Sequence, residues 1–191
     1  MTITIYMLSP RALEAARVGN QGAACTTAAI LAGLGALGAR DLPELGAATL
    51  ALGARAPYGA PALLDYVSLP GRRAPLDRRI EALAAAHLVA VRSSSRLVFP
   101  AWPLRVRPEE VLIANLVLGQ ESRGVWGTWG WHPLRPRTYS TGGHSVVVAG
   151  VEGGSWLVLD PNYERLQVWP RPGVAVTVTR IRRVPRSGSA S

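Results

Sequence analysis

From Ser145 onward the chain reads as strand almost throughout, and this stretch leaves the least freedom in architecture. Ser145 to Val151 is rich in Val, a Glu-Gly-Gly-Ser turn follows, and Trp156 to Leu159 returns. Two such runs across a short Gly-containing turn signal an antiparallel hairpin. Leu166 to Trp169 and Val174 to Ile181 add two more strands. Before about residue 90 the pattern is helical instead. Ser9 and Pro10 open a helix reaching about Val18, with Ser at the N-cap and Pro at the first helical position. A longer apolar helix spans about Ala24 to Leu37 and is closed by Gly38. Pro43 to Leu52 and Ala60 to Val67 read as shorter helices. Leu76 to Ala86 carries Leu76, Ile80 and Leu83 on one face. Three further expectations complete the pass: an edge strand at Thr2 to Tyr6, a hairpin of His87–Arg92 with Arg96–Phe99, and a helix over Pro108 to Leu118. That last helix would hold Glu109 and Glu110 in its first turn, where the dipole favours acids. Helices first and an antiparallel sheet afterwards imply an α+β fold.

Composition narrows the function classes. The chain has 191 residues and 48% hydrophobic residues, enough for one folded domain, expected over 1–185 with a flexible polar tail at 186–191. One cysteine excludes an intramolecular disulfide framework and fits a reducing compartment. No basic segment followed by a long apolar run opens the chain, and no apolar run reaches membrane-spanning length. A cytoplasmic protein is expected, with export as an effector left open. The formal charge of +9 rests wholly on arginine, without a single Lys. These arginines gather at Arg72, Arg73, Arg78 and Arg79 and at Arg180, Arg182, Arg183 and Arg186, not along one helix. That distribution speaks against nucleic acid and suits an acidic partner, an acidic peptide substrate or solubility. Gly33, Gly35 and Gly38 lack the preceding strand and the Lys of a phosphate loop, so no nucleotide cofactor is expected. One Cys and three scattered His make no closed metal set.

Three residues at element boundaries carry candidate chemistry. Cys25 stands where a Gly-containing loop meets the apolar helix, and a helix start stabilises a thiolate through its dipole and its N–H groups. Its own N–H is a candidate oxyanion donor, and Asn20 and Gln21 supply side-chain amides just upstream; Gln21 is the choice. His144 follows Gly142 and Gly143 and opens the strongest strand, a fixed place for a base; Gly143 permits close approach of substrate. Asp160 ends the returning strand. In an antiparallel hairpin the start of one strand lies beside the end of the next, so Asp160 can reach His144. Asn162 is the reserve for that orienting role. Trp129 and Trp131, with Trp126 and His132, lie in a Trp-rich segment that serves either as a substrate wall or as packing for the sheet. His87 reads as structural.

The stretches Asn-Gln-Gly-Ala-Ala-Cys-Thr-Thr-Ala-Ala, Gly-Gly-His-Ser-Val-Val-Val-Ala-Gly and Leu-Val-Leu-Asp-Pro-Asn resemble the bacterial peptidase C39-like branch of the papain superfamily. The resemblance runs over most of the chain in the order Gln, Cys, His, Asp. It implies a papain-like fold, a thioester intermediate and peptide substrates, often cut after a Gly-Gly pair. Thr26 stands where the family usually has Gly. Gln21 lies four positions before Cys25, closer than the family's usual spacing. No transporter or ATPase segment accompanies the domain, so bacteriocin export is not implied. Acyl transfer and side-chain deamidation share this machinery. A basic binding module that keeps only the papain-like shape is the non-enzymatic alternative.

Overall fold

The computed structural model describes residues 9–21, 24–53, 64–98, 106–107, 109–115, 118–121, 124–126, 144–152, 155–169, 171–174 and 177–184. Helix α1 spans Pro10–Ala15, α2 Cys25–Ala36, α3 Leu45–Leu52 and α4 Pro75–Ala86, with a 3-10 turn at Leu64–Tyr66. Strands follow at β1 Val91–Leu97, β2 Glu110–Asn115, β3 Leu118–Glu121, β4 Gly124–Trp126, β5 Ser145–Glu152, β6 Ser155–Leu159, β7 Gln167–Trp169, β8 Arg171–Val174 and β9 Thr177–Arg183. Six of them form an antiparallel sheet in the order β1-β9-β2-β5-β6-β7, and β4-β3-β8 form a smaller one. The fold is α+β. Among the described residues, no helix is long and apolar enough to cross a membrane.

Helix α2 is the hub. Its residues Cys25 to Leu34 are all buried, as expected of a helix apolar on every side. It lies against β2 and β5. Gly33 makes this approach possible, because a Cβ there would meet the Val111 side chain at 2.8 Å. The main core gathers on that side, with Ile30, Leu34, Ile80, Ile113, Val147 and Ile181 fully or nearly fully buried. On the other face of the sheet, Leu112, Val148, Val158 and Val178 pack with Trp156 and Trp169, whose rings stack at 6.3 Å. Trp156 and Trp169 are direct cross-strand partners, so their stacking pins the β6–β7 register.

Several expectations need correction. Pro108 to Leu118 is not a helix: Glu110–Asn115 forms β2, buried at every position and paired on both sides, and Leu118 opens β3. A strand covered on both faces has no reason to alternate, so its apolar run resembles a buried helix. Glu110 does not serve a helix dipole but forms an ion pair with Arg180. His87–Arg92 and Arg96–Phe99 do not form a hairpin, since Val91–Leu97 is one continuous strand through the serines. Ser93 and Ser95 face inward and are satisfied by the buried Asp77 of α4. Helix α1 stops at Ala15 rather than Val18, and Ser9 makes no side-chain capping bond. The expected strand Val174–Ile181 is two strands, β8 and β9. The other elements stand close to the expected bounds, and of Ala60–Val67 only the 3-10 turn is described. Thr2–Tyr6 and the tail 186–191 lie outside the described residues.

Strand β1 ends the sheet, and α4 covers its open edge. The Ser93 N–H donates to Glu81, the Ser93 carbonyl accepts from Arg73, and the Ser95 N–H donates to Asp77, at 2.8, 2.8 and 2.9 Å. A bare edge invites pairing with another chain; here side chains occupy its groups.

Candidate functional site

Cys25 is the first residue of α2, whose first intrahelical bond runs from the Ala28 N–H to the Ala24 carbonyl at 2.9 Å. The leading N–H groups of a helix have no intrahelical acceptor and carry partial positive charge, so an anion at Cys25 is favoured. The thiol is 4% exposed. It interacts by hydrogen bond with His144 and with the backbone and side chain of Ser145. His144 sits directly before β5, and Asp160 directly after β6, at the same end of that hairpin. The His144 Nε2 lies 2.9 Å from the Asp160 Oδ1, both residues buried. With Nε2 donating to the carboxylate, Nδ1 is the nitrogen left for the thiol. The Asn162 N–H also donates to Asp160 Oδ1, at 2.9 Å, fixing the carboxylate in place.

Charge and burial compete within this line. Burial pushes the Cys25 thiol up, but the hydrogen bond and charge of His144 together with the Ser145 N–H prevail and hold it below its ordinary value. Burial likewise pushes His144 down, yet the bonds to Asp160 and Cys25 and their charges raise it to about 9. Both shifts favour a thiolate beside an imidazolium. Such a pair is a strong nucleophile with a proton donor already in contact.

Of the sequence-predicted residues, Cys25, His144 and Asp160 come together. Asn162 does not orient the imidazole; its side-chain oxygen accepts from Asn20 Nδ2 at 2.9 Å. Gln21 is exposed and makes no side-chain hydrogen bond among the described residues. Gly143, Trp129 and Trp131 lie outside the described residues. His87 caps α4, and its Nδ1 meets the Arg40 carbonyl at 3.1 Å. Among the described residues, no three of His, Cys, Asp and Glu gather where they could hold a metal ion.

Three features lay beyond the sequence reading. Thr26 and Ser145, each next to a key residue, share a buried hydroxyl bond of 2.8 Å that ties the start of α2 to the start of β5. Polar residues opening an otherwise apolar helix and strand are the signal that points to them. Tyr66 is 1% exposed, with its hydroxyl beside Thr26 but closing no bond of ordinary length. Burial, and the nearby charge of Cys25, keep this phenol above its ordinary range and therefore neutral. Finally, the segment before Cys25 is latched to the loop after Asp160. The Asn20 N–H donates to the Pro161 carbonyl at 2.9 Å, Arg17 Nε to the Tyr163 carbonyl at 2.5 Å, and the Leu166 N–H to Glu14 at 3.2 Å. Asn20, the other amide upstream of Cys25, is thus occupied in the latch.

No family model matches the chain, and no curated protein matches it either.

Proposed function

We propose that the chain is a papain-like cysteine hydrolase, akin to the peptidase C39-like branch, that cleaves a peptide or amide bond in a peptide or protein substrate. The observation that carries this reading is the buried line from Cys25 through His144 to Asp160, with Nε2 2.9 Å from the carboxylate and the thiol at a helix start. The Cys25 thiolate attacks the substrate carbonyl carbon, and the oxygen becomes an oxyanion held by the Cys25 N–H and Gln21. His144 then gives its Nδ1 proton to the leaving amine as the C–N bond breaks, which leaves a thioester. Water attacks the thioester, His144 takes its proton, and the C–S bond breaks to release the acid and restore the thiolate. Asp160 keeps the imidazole in one tautomer and stabilises its protonated form. Gly143, Trp129 and Trp131 are assigned to the substrate wall, and the site of action to the cytoplasm.

The test is mass spectrometry of peptides containing a Gly-Gly pair, incubated with the protein and with Cys25→Ala. The expected result is backbone cleavage that requires Cys25, with an acyl-enzyme mass on quenching. A deamidated or conjugated product would assign the same site to side-chain chemistry. Absence of any Cys25-dependent adduct or product across a peptide library overturns the reading.

A further inference from the structure

On the face of the sheet away from α2, at the end of the strands remote from Cys25, lies a groove of about 410 Å³. Arg92, Arg107, Arg180, Arg182 and Arg183 line it with Glu110, giving it a net +4 of the chain's +9. Its placement follows from register. Glu110, Arg182 and Arg92 are paired across β2, β9 and β1, whereas Asn115, Thr177 and Leu97 pair at the end where Ser145 stands.

Arg92 lies directly opposite Arg182 on neighbouring strands. Like charges in that position repel, and a sheet without need of them is more stable without them. The carboxylates nearby relieve the repulsion only in part, because each is engaged by another guanidinium. Glu110 is taken by Arg180, and Glu81, which also feels Arg92, is held at both oxygens by Arg73. Among the described residues, Arg92, Arg107, Arg182 and Arg183 have no carboxylate in an ion pair. Four guanidinium forks around one concavity match several carboxylates, each taken by two parallel bonds.

We infer that this groove binds a carboxylate-rich segment of a polypeptide partner. A nucleic-acid strand is a poorer fit. Among the described residues, no aromatic side chain lines the groove to stack a base. The open edge of β1 is closed by Arg73, Glu81 and Asp77, so the segment is held by side-chain charge and not as an added strand. The inference is independent of the chemistry at Cys25.

The test is fluorescence anisotropy of a labelled Glu-rich peptide against the full chain carrying Cys25→Ser, so that turnover plays no part. Arg92→Glu, Arg182→Gln and a single-stranded oligonucleotide of equal charge complete the set. The expected result is salt-sensitive peptide binding, weakened about tenfold or more by either substitution, with the oligonucleotide weaker. Arg92→Glu should at the same time raise the thermal midpoint, because it replaces a repelling pair by an attracting one. Absence of peptide binding at low salt, binding untouched by both substitutions, or tighter binding of the oligonucleotide would overturn the inference.

Discussion

Two opposing effects meet on the sulfur of Cys25: burial raises its proton affinity, and His144 with the Ser145 N–H lowers it. The imidazolium persists because Asp160 holds Nε2, so the carboxylate acts on the thiol at one remove. Asp160→Asn keeps a side chain of the same shape but removes the charge. His144 should fall from about 9, and each unit lost corresponds to about 1.4 kcal/mol, or roughly tenfold in the equilibrium constant for the ion pair. Alkylation of Cys25 near about pH 6 should slow accordingly while the fold remains. An unchanged rate would remove Asp160 from the line. Thr26→Val deletes one partner of the buried hydroxyl pair and leaves the Ser145 hydroxyl with Cys25 alone, at a cost of about 1 kcal/mol in denaturant unfolding. Adding Ser145→Ala should cost less than the sum of the single losses, which a double-mutant cycle will read. The residues of the line were legible because each stands at an element boundary, where a side chain is chosen for position rather than packing. The Thr26–Ser145 bond was not, since nothing local in a sequence says which hydroxyls meet across more than a hundred positions.

At the scale of elements, the β5–β6 hairpin was legible from its Gly turn and the α2 helix from the length of its apolar run. Strand β2 was hidden by its own burial, and β1 by serines that suggest a turn until Asp77 is seen to satisfy them. Ser95 has a single hydroxyl proton, which goes to Asp77, so Thr179 must donate to Ser95 and Asn115 Nδ2 to Thr179. That chain of bonds crosses β2, β9 and β1 and ends on α4. Asp77→Ala leaves two buried hydroxyls and the Ser95 N–H without their acceptor. A loss of about 3 kcal/mol or more is expected in chemical denaturation, and a loss under about 1 kcal/mol would show that the network is solvated. Gly33→Ala tests the contact between α2 and β2. Ala gains about 1 kcal/mol of helix propensity, but a Cβ 2.8 Å from Val111 forces overpacking, at about 1–3 kcal/mol. A net destabilisation is expected, relieved by Val111→Ala.

For the whole molecule, the helices fill one face of the six-stranded sheet, and the site lies where α2 meets the mouth of the β5–β6 hairpin. The latch through Arg17, Asn20 and Glu14 joins the segment before the nucleophile to the loop after Asp160. Its parts are far apart in the chain, which is why no local pattern revealed it. The central claim is that Cys25 and His144 form a thiolate–imidazolium pair, and the most direct measurement is the rate of iodoacetamide alkylation at Cys25 against pH. In the native protein the rate should rise through a midpoint below the ordinary thiol value, because the thiolate is the reactive form and His144 favours it. The imidazolium then holds until about pH 9, where His144 loses its proton and the pair gives way to a thiolate beside a neutral ring. In His144→Ala, burial acts unopposed by the imidazolium, and the midpoint should move upward. A native titration at the ordinary thiol value, unchanged by His144→Ala, would contradict the pair and the hydrolase built on it.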